Sequence, residues 1–498
     1  MGVERDARTY RLEPLDASGV FLGLGVIQCV LLGAGLTAAV IAVTAGLALP
    51  FAVAPVLVAV GLCFARVGGH PLWEWLPRGV GWLVTVLGRG RRWSARLPLW
   101  PVAEGVKAPL PPCLAGLEVV ELAGPAGGRR VGAVNDRQRH TLTGLVMVSG
   151  PQFVVEPRAE QERLIAGWGD VLSQFAVERG AVTHLAWSDL ARPSGLSEHL
   201  AWLTERNETG PHPIAAASYD ELLADAAGSA STHDVALSVT VARDRLTRRT
   251  KLAGGDAEAM GRALGSALDA LGRGLRSAGL TASDPLDANA VRHLLRTRID
   301  PFTAPASGRR RGRLAERLGI APTAAGPLVV ESSWRQVRTD GAWHRTFWIA
   351  CWPRLAVPPS WLEPFLSGAG VTRSFTVVLV PVPTHQSRRR IERDLVKLES
   401  DAVTKEDQGR RVDARHRRAT QALLDREEEL VAGFSEVAYA GLVTVTASSE
   451  EELDEHSEIV EQLARESGLD LRLIDGRQDV AWAAALPLGL APKTLLAA

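Results

Sequence analysis

The sequence predicts an α+β membrane protein: an N-terminal two-helix transmembrane hairpin followed by two cytoplasmic α/β halves, each a ferredoxin-like sandwich. Three observations predict it. No charged residue occurs from Ala17 to Ala65, a run of 49, where a bilayer core needs about 20 apolar residues per helix. Arginines flank that run on both sides. From residue 109 onward, strand-like and helix-like hydrophobic periods alternate, as in α/β or α+β domains.

The chain has 498 residues with 46% hydrophobic and 22% charged, which excludes a wholly disordered or fibrous protein. Basic and acidic residues balance at 56 each, so the global basic signature of a nucleic-acid binder is absent. Four cysteines without CxxC spacing suggest neither zinc nor a disulfide framework.

Residues 1–16 read as a cytoplasmic tail and 17–66 as the hairpin, with spans near 20–42 and 48–66 and a break from Thr44 to Pro50. A signal peptide and a buried hairpin of a soluble protein are the competing readings; the apolar region of a signal peptide covers only about 7–15 residues. Arg5, Arg8 and Arg11 precede the hairpin; Arg66, Arg78, Arg89, Arg91, Arg92 and Arg96 follow it, and the turn carries no charge. The positive-inside rule then places both termini and the bulk of the chain in the cytoplasm. The expected location is the inner (cytoplasmic) membrane, crossed twice. Ala34, Ala38 and Ala42, and likewise Pro55, Ala59 and Cys63, recur at i+4, giving small-residue stripes suited to packing of the spans. Gly33 to Ala38 mimics a dinucleotide-binding glycine pattern, but no strand precedes it.

Residues 67–108 form a belt and linker. Trp73, Trp75, Trp82 and Trp93, with Arg66, Arg78, Arg89, Arg91 and Arg92, have the composition of a surface facing membrane lipid. The alternative is a short helix belonging to the next domain.

The first domain, 109–300, has strands expected at 117–122, 129–134 and 141–148, a helix over 156–178, a strand at VTHLAW, a helix near 219–227, a strand at HDVALSVTVA and a helix over 256–278. Residues 301–340 read as a Pro/Arg-rich linker carrying Arg309, Arg310, Arg311 and Arg313. That cluster suits a solvated linker, or contact with nucleic acid or lipid. The second domain, 341–487, has strands at 345–352 and 375–382, a charged helical stretch over 385–434 divided near Gly409, strand VAYAGLVTVTA, helix 449–466 and strand LDLRLID. The spacing of Ser448 and Glu451 fits a capping box for that helix. Residues 488–498 are a tail.

Catalytic patterns are missing from the sequence. No lysine follows a glycine, so a strict Walker A loop is absent. No GxSxG, HExxH or EF-hand loop occurs, and no two histidines stand at metal-ligand spacing. On these grounds no catalytic, cofactor-binding or metal-binding residue is assigned, no cofactor is expected, and the chain is not read as an enzyme.

ERDARTYRLEPLDASGVFLGL, the hairpin and GGHPLWEWLPRGVGWLV resemble the small PrgI-type inner-membrane subunit of type IV secretion and conjugation systems. TLTGLVMVSGPQFVVEPRAEQERLIAGWGDVLSQFA, VTHLAWSDLARP, WHRTFWIACWPRLAVPP and FSEVAYAGLVTVTAS resemble the amino-terminal, non-motor region of the VirB-type conjugation ATPases. The order of parts looks like a membrane-protein family of actinobacterial conjugation-like clusters. In the full ATPases a P-loop motor follows, and it has no counterpart here. The resemblance implies a scaffold or assembly subunit that docks a separate P-loop ATPase, contacts other channel subunits and forms a homo-oligomer within the complex. The alternative function is a membrane-anchored module that binds a ligand or lipid and regulates.

Overall fold

The computed structural model describes residues 26–46, 48–67, 91–95, 110–122, 130–151, 153–176, 180–193, 213–227, 231–246, 255–302, 326–353, 355–368, 370–407 and 414–491, with a few isolated positions between them. The chain divides into two compact units, one over 15–91 with 475–477 and one holding the rest.

In the smaller unit, α1 (Val26–Thr44) and α2 (Leu49–Phe64) pack as a helical hairpin. Gly46, with φ +71°, makes the turn between them. A Cβ on Gly35 would come within 2.6 Å of the Ala59 Cβ and 3.0 Å of the Pro55 carbonyl oxygen, so glycine permits the close approach there. The Gln28 amide donates to the Cys63 carbonyl at 3.2 Å, tying the start of α1 to the end of α2. Two short strands, β1 (Arg66–Val67) and β2 (His70–Pro71), pair antiparallel after α2.

These helices correct the expected transmembrane hairpin. Among the described residues no helix is long and apolar enough to cross a membrane. α2 has 16 residues, about 24 Å at about 1.5 Å per residue, against a hydrocarbon core about 30 Å thick. The multi-pass inner-membrane placement and the orientation inferred from flanking arginines fall with it.

The larger unit is built on one antiparallel sheet of 13 strands among the described residues. Its first part runs β3 (Arg92–Ser94), β4 (Leu117–Leu122), β5 (Val131–Asp136), β6 (Thr141–Ser149), α3 (Arg158–Ser173), β7 (Val182–Pro193), α4 (Pro213–Ala227), β8 (Ser231–Ala242), α5 (Gly255–Ser277), β9 (Thr281–Ala282) and α6 (Ala288–Ile299). The second runs β10 (Val329–Ser332), β11 (Val337–Thr339), β12 (Ala342–Cys351), α7 (Glu363–Ser367), β13 (Arg373–Pro381), α8 (Thr384–Asp407), α9 (Ala414–Val431), β14 (Val437–Ala447), α10 (Glu450–Glu466), β15 (Asp470–Leu473) and α11 (Gln478–Ala485).

Across the sheet the order is β3-β10-β11-β12-β14-β13-β7-β8-β6-β5-β4, with β15 on β12 and β9 on β6. Outward from the centre, β7-β8-β6-β5-β4 repeats the topology of β13-β14-β12-β11-β10. Both small strands attach at the equivalent place. The protein therefore holds two repeats, joined where β7 pairs antiparallel with β13, from Arg373 opposite Ala191 to Leu379 opposite Leu185. Such a junction makes the repeats neighbours in a continuous sheet. The expectation of two separate ferredoxin-like sandwiches is corrected accordingly, and β10 and β11 lie within the range expected to be linker.

Strand alternation sorts side chains onto two faces. One face is apolar. Leu185, Leu237, Val239 and Val241 pack against Leu264, Leu268 and Leu271 of α5, and Phe375, Val443 and Val445 against Phe365, Leu453 and Val460 of α7 and α10. The other face is mixed, with Val134, Leu145, Val330 and Val337 under Val291, Leu295 and Ile299 of α6 and Trp482 of α11. Asp287 caps α6 by accepting from the Ala290 amide at 2.8 Å.

Candidate functional site

The mixed face carries buried hydroxyls in rows. Ser188 on β7 and Thr376 on β13 face each other with their hydroxyl oxygens 2.9 Å apart. Thr143 and Thr240, at 2.9 Å, repeat the contact between β6 and β8. Thr346 and Thr444, at 3.0 Å, repeat it between β12 and β14. An unpaired buried hydroxyl is costly, and cross-strand pairing satisfies these.

The covering elements lock onto that polar layer. Arg298 of α6, 3% exposed, donates to the Ser188 hydroxyl at 2.8 Å, the Ser188 carbonyl at 3.1 Å and the Asp234 carbonyl at 2.7 Å. Burial lowers its pKa to about 10, while the charges of Asp189 and Asp234 act in the opposite direction. Thr376 donates to the Ala485 carbonyl at 2.7 Å, at the end of α11. Gln478 opens α11 and reproduces a strand partner, accepting from the Thr346 amide at 2.8 Å and donating to the Thr346 carbonyl at 3.1 Å.

Two histidines close the layer. His344 donates from Nε2 to the Ile299 carbonyl at 3.0 Å and meets the Thr446 hydroxyl through Nδ1 at 3.0 Å. His184 donates from Nε2 to the Gly489 carbonyl at 3.1 Å and meets Thr183 through Nδ1 at 2.9 Å. Burial pushes both down to about 4. They are neutral polar spacers at neutral pH.

On the opposite face, at the end of β7 and the start of β8, three side chains make a second cluster. Asp189 Oδ2 accepts from His233 Nδ1 at 2.8 Å, and Ser231 lies 3.1 Å from His233 Nε2. Asp189 is 3% exposed, and its other oxygen, Oδ1, has no hydrogen-bond partner. Arg373, which donates to the carbonyls of Phe365 and Gly368, feels the Asp189 charge. No group of three or more metal-ligating side chains occurs among the described residues.

The residues picked from sequence are dispersed. Trp73, Trp75, Arg78 and Arg89 lie outside the described residues, as does the Arg309–Arg313 cluster. Arg66 belongs to β1. The Arg91 guanidinium sits 5.9 Å from the centre of the Trp82 ring. Arg92 and Trp93 lie in β3, where Trp93 packs against the core cluster under α6 and α11. It is therefore part of the sheet's own packing. In the hairpin, Pro55, Ala59 and Cys63 are turned inward, as is Ala42, whereas Ala34 and Ala38 are exposed and Gly35 takes the contact position.

Neither cluster on the sheet was singled out from sequence. The signals were hydroxyls at alternate positions of β8, β13 and β14, and a Ser-x-His pair on β8 within one strand period. No family model matches the chain, and no curated protein matches it.

Proposed function

We propose that this chain is a scaffold and docking subunit of a type IV secretion-like or conjugation-like translocation machine, holding a separate P-loop ATPase. The observation that supports this reading is spatial. The four segments resembling the non-motor region of VirB-type ATPases form β6 with α3, β7, β12 and β14. These strands fall within the six adjacent strands β12-β14-β13-β7-β8-β6. Segments spread over about 300 residues thus build one continuous platform, bound on both faces by its own helices. A rigid platform of this kind suits assembly, where fixed geometry matters more than turnover.

The test is recovery of the full chain, affinity-tagged at its natural level in the source organism. The reading expects a P-loop ATPase in stoichiometric amount with it. It expects the ATPase to be lost when the chain is truncated after residue 300, which removes the second repeat. Recovery of the chain as a monomer without any ATPase would overturn it.

A further inference from the structure

We infer that Ser231, His233 and Asp189 form a nucleophile, its base and an orienting carboxylate, able to accept the acyl group of a small ester. The placement follows from strand geometry. Ser231 and His233 are two residues apart on β8 and share a face. His233 pairs with Ala191 and Val235 with Asp189, so Asp189 occupies the same face one step further into the sheet.

The hydrogen bonds set the roles. A carboxylate only accepts, so His233 Nδ1 carries the proton toward Asp189 at 2.8 Å. That tautomer leaves the Nε2 lone pair facing the Ser231 hydroxyl at 3.1 Å, the polarity a general base requires. The buried carboxylate fixes the ring, while the His233 side chain remains 32% exposed and Ser231 is half-buried at the strand's first residue. The Asp189–His233 contact is complete without the serine, which adds a partner only at the other ring nitrogen.

In the step assigned here, Ser231 Oγ bonds to the ester carbonyl carbon and its proton passes to His233 Nε2. The bond to the leaving alkoxide breaks as His233 returns that proton to it. Water then attacks the acyl-serine with the same base, releasing the carboxylic acid and restoring the hydroxyl. No oxidant or further co-reactant is needed.

The test uses the full chain with an alkyl fluorophosphonate, which forms a Ser–O–P bond and releases fluoride. Intact mass and peptide mapping should show one adduct, on Ser231. Ser231→Ala should abolish it, and His233→Gln should slow it at least about 100-fold, within the usual range for losing a general base. Both positions are partly exposed, so circular dichroism and thermal midpoint should match the unmodified protein. Absence of an adduct on Ser231, or an equal rate in His233→Gln, overturns the assignment. The docking proposal stands or falls separately, because its readout is ATPase recovery.

Discussion

Ser188 and Thr376 meet hydroxyl to hydroxyl at 2.9 Å, across the β7–β13 pair that joins the two repeats. The contact is the hub of a short chain. Arg298 donates to Ser188 and Thr376 donates onward to the Ala485 carbonyl. One helix from each repeat, α6 and α11, is thereby anchored to the same point on the sheet.

Removing one partner leaves the others buried and unpaired. Ser188→Ala is expected to cost about 1–3 kcal/mol, the usual range for an orphaned buried group. Thr376→Val should cost a similar amount. Because the two share partners, the double variant should fall short of the sum by at least about 0.5 kcal/mol. Urea unfolding of the full chain, read as midpoint and slope, measures the cycle; strict additivity would show that the chain of bonds is not cooperative.

His184 and His344 predict an acid limb in stability. Each is depressed to about 4 in the folded protein, below the ordinary value of about 6.5 that the unfolded chain keeps. The unfolded state therefore takes up protons first. The contribution is complete above pH about 6.5 and is lost progressively as the pH falls toward 4, by about 3 kcal/mol at most for each histidine. His344→Gln should flatten its share of the slope between pH 6.5 and 4. An unchanged slope in both glutamine variants would place the proton uptake elsewhere.

Local periodicity made much of this fold legible. Strand VAYAGLVTVTA coincides with β14, and LEVVEL with β4. The charged stretch became α8 and α9 on either side of Gly409. The elements that escaped are those whose role is set by distant residues. α6 and α11 are 12 and 8 residues long, and α6 turns Arg298 inward, which blurs its apolar face. β10 and β11 are short and lie among prolines and arginines, so their composition reads as linker. The single sheet depends on pairing Leu185 with Leu379, a long-range contact that no local window contains. The Asp189–His233–Ser231 cluster escaped for the same reason, since Asp189 is 44 residues from His233. The apolar run of the hairpin misled because composition reports hydrophobicity but not the length of the helices it forms.

Gly489 tests how tightly the segment after α11 is held. Its φ is +72°, and a Cβ there would collide with the hydroxyls of Thr143 and Thr240. Gly489→Ala therefore meets both the left-handed backbone penalty, about 1–2 kcal/mol, and a clash with two paired hydroxyls. It should lower the thermal midpoint and expose the β6–β8 amides to faster hydrogen exchange. An unchanged midpoint would mean that this segment does not bear on the sheet.

The start of α10 separates two capping arrangements that differ by one residue. Ser448 and Glu451 have the spacing of a capping box, yet Ser449 is the N-cap, its hydroxyl accepting from the Glu452 amide at 3.1 Å. Glu452 reaches back to the Ser448 amide at 2.8 Å and also accepts from the Ser448 hydroxyl. The box is thus displaced by one position. Ser449→Ala should cost about 1 kcal/mol, as N-cap losses do, whereas Glu451→Gln should change stability by less than about 0.5 kcal/mol. The Ser448 hydrogen bond is the main cause holding the Glu452 carboxyl below its ordinary value. Stability from that bond is present above the ordinary carboxylate range and is lost as the pH falls through the lowered value. Ser448→Ala should move the Glu452 titration upward, followed by its side-chain carbon resonance. If Ser449→Ala were neutral and Glu451→Gln costly, the helix would begin one residue earlier than the structure places it.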